Sequence, residues 1–219
     1  MVIALNRMRF LFCISLSLLI LADTGHCDDG WPAADQRDID KVESFLNEID
    51  TYRARFIQVG PDGGYSEGWL WLQRPDRLRV EYAPPDNLLL VADGSFLIFF
   101  DRDMNQVTEF SYDVGPFRFL LATEISFEED MVVQSIERKA GFLRLKLVDQ
   151  SMLGQGSVTL VFEEKPFRLV KWEVIDSASK ITHVTLYEHS FGLTLEQKLF
   201  RFTDHDRVRH DYRYGDYNQ

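Results

Sequence analysis

The sequence predicts a mainly β fold: an antiparallel sheet, closed into a barrel or doubled into a sandwich, with helices laid over an apolar face. Three observations carry this. Short alternating segments recur with tight Gly, Pro and Asp turns between them. Strands and helices do not alternate, which argues against a parallel sheet. Residues 69–72, 88–92 and 96–100 are apolar at both parities, more than a sheet with one solvated face needs.

The elements follow in order. Arg7 and Arg9 precede a thirteen-residue apolar run from Phe10 to Ala22. That run is too short to span a bilayer and right for a signal-peptide core. Residues 1–27 are therefore read as a signal peptide and 28–219 as one exported, soluble domain, with 205–219 as a tail of unassigned structure. His26, not a small residue, precedes Cys27, which argues against lipid attachment there. Cys13 lies in the signal core, so the domain has neither a disulfide framework nor thiol chemistry.

Residues 28–40 read as a polar leader. From Asp40, Val42, Phe45, Leu46, Ile49 and Phe56 recur at helical spacing, an amphipathic helix of about four turns. The period then becomes two. Ile57–Val59 runs into the turn 60–64; Tyr65–Gln73 is a strand; Leu78, Val80 and Tyr82 alternate with Arg77, Arg79 and Glu81 as a half-buried strand. Residues 88–92 and 95–100 flank Asp93-Gly94, a hairpin signal, and Gln106–Phe110 continues the meander. Pro116 opens a short helix through Ala122. Six further strands follow, at 131–138, 142–148, 157–162, 168–175, 181–190 and 194–202.

The net charge is −11, and −12 once residues 1–27, with two Arg and one Asp, are removed. Such a surface argues against nucleic acid and anionic membrane as partners. Gly64-Tyr65-Ser66-Glu67-Gly68 fits the G-x-S-x-G pattern of a serine hydrolase. A nucleophile elbow needs a strand, a sharp turn at the serine and then a helix. Here more strand follows Ser66, and no α/β scaffold exists to hold a triad, so no catalytic residue is expected. His183 and His189 share a strand but sit about 20 Å apart, too far to bind one metal. His205 and His210 fall in the polar tail. No phosphate-binding glycine loop is present, and neither metal nor cofactor is expected.

Taken in order, the segments resemble the LolA family of outer-membrane lipoprotein carriers from about Val42 to Phe202. The pieces are a helix running to "ARFIQ", a glycine-rich turn, "GWLWLQRPDRLRVEY", "PPDNLLLVADGSFLIFFD", "NQVTEF" and "GPFRFLLA". Their order and spacing are more specific than any one of them. The resemblance implies an eleven-stranded, half-closed antiparallel barrel whose helices form a lid over an apolar cavity. It implies a periplasmic, monomeric carrier of acylated lipoproteins, loaded by an inner-membrane ABC release complex and unloaded to an outer-membrane acceptor. A lipid- or peptide-sensing envelope regulator on the same half-barrel is the alternative.

Arg74 matches the family's arginine before proline, implied to close the lid by bonding to its backbone. If Arg74 faces the cavity, parity puts Leu70 and Leu72 there and Trp69 and Trp71 on the convex side. Leu78, Val80 and Tyr82 face in, because Arg77, Arg79 and Glu81 cannot line a dry pocket without partners. The family pattern adds Leu89, Val91, Leu97 and Phe99 to the cavity. The lid helices would present Phe45, Leu46 and Ile49 from the first and Phe117, Phe119 and Leu120 from the second. The family's glycine is missing from the turn 176–180, and the tail "RHDYRYGDYNQ" is unusual.

Overall fold

The structure is a computed structural model that describes residues 30–111, 118–127, 131–149, 156–203 and 206. The signal-peptide segment, Phe117 and all of the tail except Asp206 lie outside the described residues.

Helix α1 spans Ala33–Asn47 and directs Ile39, Val42 and Leu46 inward, the i, i+3, i+7 stripe of an amphipathic helix. It starts seven residues before the expected Asp40. Periodicity does not reach its first residues, because none of 33–38 is buried. Polar bonds hold them instead: Arg138 reaches Asp35 at 2.7 Å, Asp38 at 2.5 Å and the Ala34 carbonyl at 3.2 Å. Phe56 is not helical. It lies in strand β1, Thr51–Val59, where Tyr52, Ala54 and Phe56 are buried at alternate positions. Its seven-residue distance from Ile49 imitates a helical repeat, and "ARFIQ" is strand.

Ten more strands follow: β2 Tyr65–Gln73, β3 Arg77–Tyr82, β4 Leu88–Asp93, β5 Leu97–Asp101, β6 Gln106–Phe110, β7 Met131–Lys139, β8 Phe142–Asp149, β9 Gly156–Glu164, β10 Phe167–Asp176 and β11 Ile181–Phe191. They form one antiparallel sheet in the order β6-β5-β4-β3-β2-β1-β11-β10-β9-β8-β7. Strand β1 is central because it pairs with both β2 and β11. The edges β6 and β7 do not pair, so the barrel is half closed. Short helix α2, Arg118–Leu121, lies in the connection between these edges. The expected strand 194–202 is a 3-10 turn, Gln197–Phe200. Among the described residues the strand count is therefore eleven.

The sheet curls around α1. One buried cluster joins Ile39, Val42 and Leu46 of α1 to Leu78 and Val80 of β3 and to Leu145, Leu160 and Phe162 of β8 and β9. Strands five or more places apart in sheet order meet the same helix only if the sheet is strongly bent.

The convex face over β3–β5 is also covered. Leu89, Val91 and Phe100 form a second, fully buried cluster, and the half-buried Val107 and Phe202 pack against it. Phe202 meets Phe100 edge-on at 5.2 Å between ring centres, and the 3-10 turn packs on β3 and β4. This C-terminal strap explains why 88–100 is apolar at both parities: one face meets the lid, the other the strap.

Arg79 and Glu81, expected to face water, lie under the strap at 3% and 4% exposure. Arg79 donates to Glu81 (2.6 Å from Nε), to Asp206 (2.7 Å) and to the Leu199 carbonyl (3.2 Å). Asp206 accepts from the Thr203 amide at 2.8 Å and hydroxyl at 2.9 Å. Burial raises the carboxyl pKa of Asp206, but Arg79 and Thr203 outweigh it and leave the value below normal.

Candidate functional site

The candidate site is the space between α1, α2 and the concave sheet. A residual cavity of about 30 Å³ remains there, room for one or two waters. Strands supply Tyr52, Leu70, Leu72 and Leu78 on one side and Leu169, Trp172 and Phe191 on the other. Phe45 and Leu46 of α1, Ile49 just beyond its end and Leu120 of α2 fill it. Phe45 is the central plug. Its ring meets Phe162, Phe167 and Phe191 edge-on at 5.6, 5.4 and 6.3 Å.

Arg74 stands at the mouth, in the turn between β2 and β3. Its Nη1 donates to the Leu46 carbonyl of α1 at 2.5 Å. Nε and Nη2 both donate to the Ala122 carbonyl after α2, at 3.0 and 2.9 Å. Nη2 also reaches the Thr123 carbonyl and Asn47 Oδ1, each at 3.2 Å. One planar fork thus satisfies the carbonyl ends of both helices, which a lysine ammonium cannot span. Partial burial lowers the guanidinium pKa, and nearby Asp50 opposes that shift. The turn is itself pinned: the Arg74 amide donates to Asp50 at 2.8 Å and the Asp76 amide to Leu121 at 3.0 Å.

Of the residues expected in the cavity, Leu70, Leu72 and Leu78 line it. Val80 and Leu97 belong to the same buried cluster. Tyr82 packs against that cluster while its hydroxyl donates to Gln58 at 3.0 Å, and burial pushes its pKa up to about 12. Phe99 pairs with Leu90, which packs on that side. Leu89 and Val91 do not face the cavity. They belong to the convex cluster, and Leu90 and Ala92 take the concave positions. Register decides this: Ala92 pairs with Leu78 and Leu90 with Val80. With every residue from 88 to 92 apolar, alternation could not. Trp71 lies opposite Arg79 and Arg53, on the face away from Leu70 and Leu72. Among the lid residues, Phe45, Leu46, Ile49 and Leu120 meet the cavity. Phe119 lies in α2, and its side chain is outside the described set.

Tyr52, Leu169, Trp172 and Phe191 line the cavity without having been singled out. Their strands are recognisable, but which face of each strand curls inward depends on the β1–β11 pairing, which joins residues as distant in sequence as Tyr52 and Phe191. Ser66 lies within β2 opposite Gln58. Gly68 serves packing: a Cβ there would come within 2.0 Å of the Glu81 carbonyl and 2.8 Å of the Phe56 ring. Among the described residues no group of three His, Cys, Asp or Glu side chains could hold a metal ion. No described helix is long and apolar enough to cross a membrane.

A family model described as "Outer membrane lipoprotein carrier protein LolA" matches residues 47–203. An outer-membrane lipoprotein carrier protein of Methylococcus capsulatus is 30% identical over 171 residues, covering 74% of this chain and 82% of that one. One from Leptothrix cholodnii is 29% identical over 185 residues, covering 80% and 86%. A solved LolA superfamily protein of Nitrosomonas europaea covers 76% of this chain and 98% of that one, at 14% identity and a TM-score of 0.44.

Proposed function

This chain belongs to the outer-membrane lipoprotein carrier family, and we propose that it carries lipoprotein acyl chains on the concave face of its half-barrel. It takes them from an inner-membrane ABC release complex, crosses the periplasm as a monomer and hands them to an outer-membrane acceptor. It is a carrier and performs no covalent chemistry.

The observation that supports this most is a mismatch of size. Ligand pockets generally measure about 300–1,000 Å³, whereas the lid leaves about 30 Å³ in a cavity with an almost wholly apolar lining. Lid and cargo therefore compete for one space. Burying a methylene is worth ~0.8 kcal/mol, so two or three acyl chains of about 40 methylenes carry on the order of 30 kcal/mol relative to water. Exposing Ile39, Val42 and Leu46 of α1 costs about 1.5–3 kcal/mol each. The chains win, and the closing lid subtracts from their affinity, which makes release possible.

Two substitutions test this. Arg74→Leu weakens closure, so loaded protein accumulates and transfer to outer-membrane vesicles falls; a folded variant that transfers normally contradicts the lid role. Leu72→Glu places an unpaired carboxylate in the cavity and abolishes binding of a fluorescent fatty acid while the fold survives. Retained binding in that variant removes the concave face as the site.

A further inference from the structure

We infer that Asn47 is a positioning residue that clasps the two parts of the lid, α1 and residues 118–127, into one moving piece; this rests on the carrier reading above. The Asn47 side chain bonds both backbone groups of one residue. Its Oδ1 accepts from the Ile125 amide at 2.8 Å, and its Nδ2 donates to the Ile125 carbonyl at 2.9 Å. A carboxamide is the smallest side chain with donor and acceptor side by side, as this pairing requires. One turn earlier, Glu43 Oε1 accepts from the Phe127 amide at 2.5 Å. Two residues four apart on one helix face thus hold two alternate residues of the second segment. The side chains this positions are apolar: Ile125 and Phe127 are each 4% exposed and join the main cluster.

The clasp also meets the latch, since Arg74 Nη2 lies 3.2 Å from Asn47 Oδ1. Arg74 grips α1 at Leu46 and the second segment at Ala122 and Thr123, with Asn47 between them. If the clasp holds, breaking the Arg74 contacts frees both segments together. Without it, residues 118–127 leave while α1 stays in the cavity, and a chain entering the mouth still meets the Phe45 plug.

The test is residue-resolved hydrogen exchange on the empty full chain. Asn47→Ala should speed exchange of the Ile125 amide about tenfold and leave that of Val42 in α1 unchanged. Asn47→Asp keeps the acceptor and loses the donor, so it should fall between. Arg74→Leu should speed both amides together. Unchanged Ile125 exchange in Asn47→Ala, or Val42 accelerating equally, overturns the clasp. Fatty-acid binding by the unaltered protein tests the carrier reading separately: its absence sinks that reading and leaves the exchange pattern to decide the clasp.

Discussion

Arg74 and Arg79 lie five residues apart, one in the turn before β3 and one within β3, and each holds a cover on a different face of the same sheet. Arg74 stands half-buried at the mouth and bonds to carbonyls and one carboxamide. Arg79 is 3% exposed and bonds to two carboxylates as well as a carbonyl. Carbonyls at a mouth can turn to water when the arginine leaves; buried carboxylates cannot. On the proposed carrier reading, one cover is built to open and the other to stay shut. The convex face over β3–β5 is covered by the strap, and the proposed exchange of occupant is confined to the concave face.

The largest expected effect separates the two at once. Arg79→Leu leaves Glu81 and Asp206 buried without their counter-ion and should cost about 3–5 kcal/mol in urea unfolding. Arg74→Leu should cost only about 1–2 kcal/mol while impairing transfer. Equal losses would erase the distinction. Next comes acid. The carboxyl pKa of Asp206 is lowered in the folded state, from an ordinary 3.8. Its contribution is therefore complete above that value and is lost as pH falls through the folded value. Arg74, whose bonded acceptors are carbonyls and a carboxamide, does not titrate in that window. Acidification to below the ordinary carboxyl value of 3.8 should strip protection from the Thr203 amide before the Ile125 amide. Simultaneous loss would mean that the strap is not held by that carboxylate. The smallest effect is Asp206→Asn at neutral pH, which removes the charge and keeps an acceptor for Thr203, at about 1 kcal/mol.

The same contrast shows what was legible in the sequence. Arg74 is legible through its match to the arginine before proline of the lipoprotein carrier family, and parity then puts Leu70 and Leu72 on its face. Arg79 and Glu81 read as water-facing in the sequence because charged residues alternating with apolar ones describe a solvated face. Their partner Asp206 lies 127 positions downstream of Arg79, in a segment without strand or helix periodicity. Leu89 and Val91 face the strap and not the cavity, and the sequence conceals this for a related reason: a strand covered on both faces has no alternation left, and only its pairing with β3 reveals its orientation. Sheet composition and strand positions are local properties of the chain. Which side is roofed, and by what, is not.

In the proposed function, lid and acyl chain exclude each other. Spin labels at Ser44→Cys on α1 and Asp62→Cys in the β1–β2 turn test it directly, because residues 28–219 contain no native cysteine. Their distance should be single and narrow in the empty protein and longer or broader once a diacylated lipopeptide is bound. The same narrow distance in both states would contradict the account.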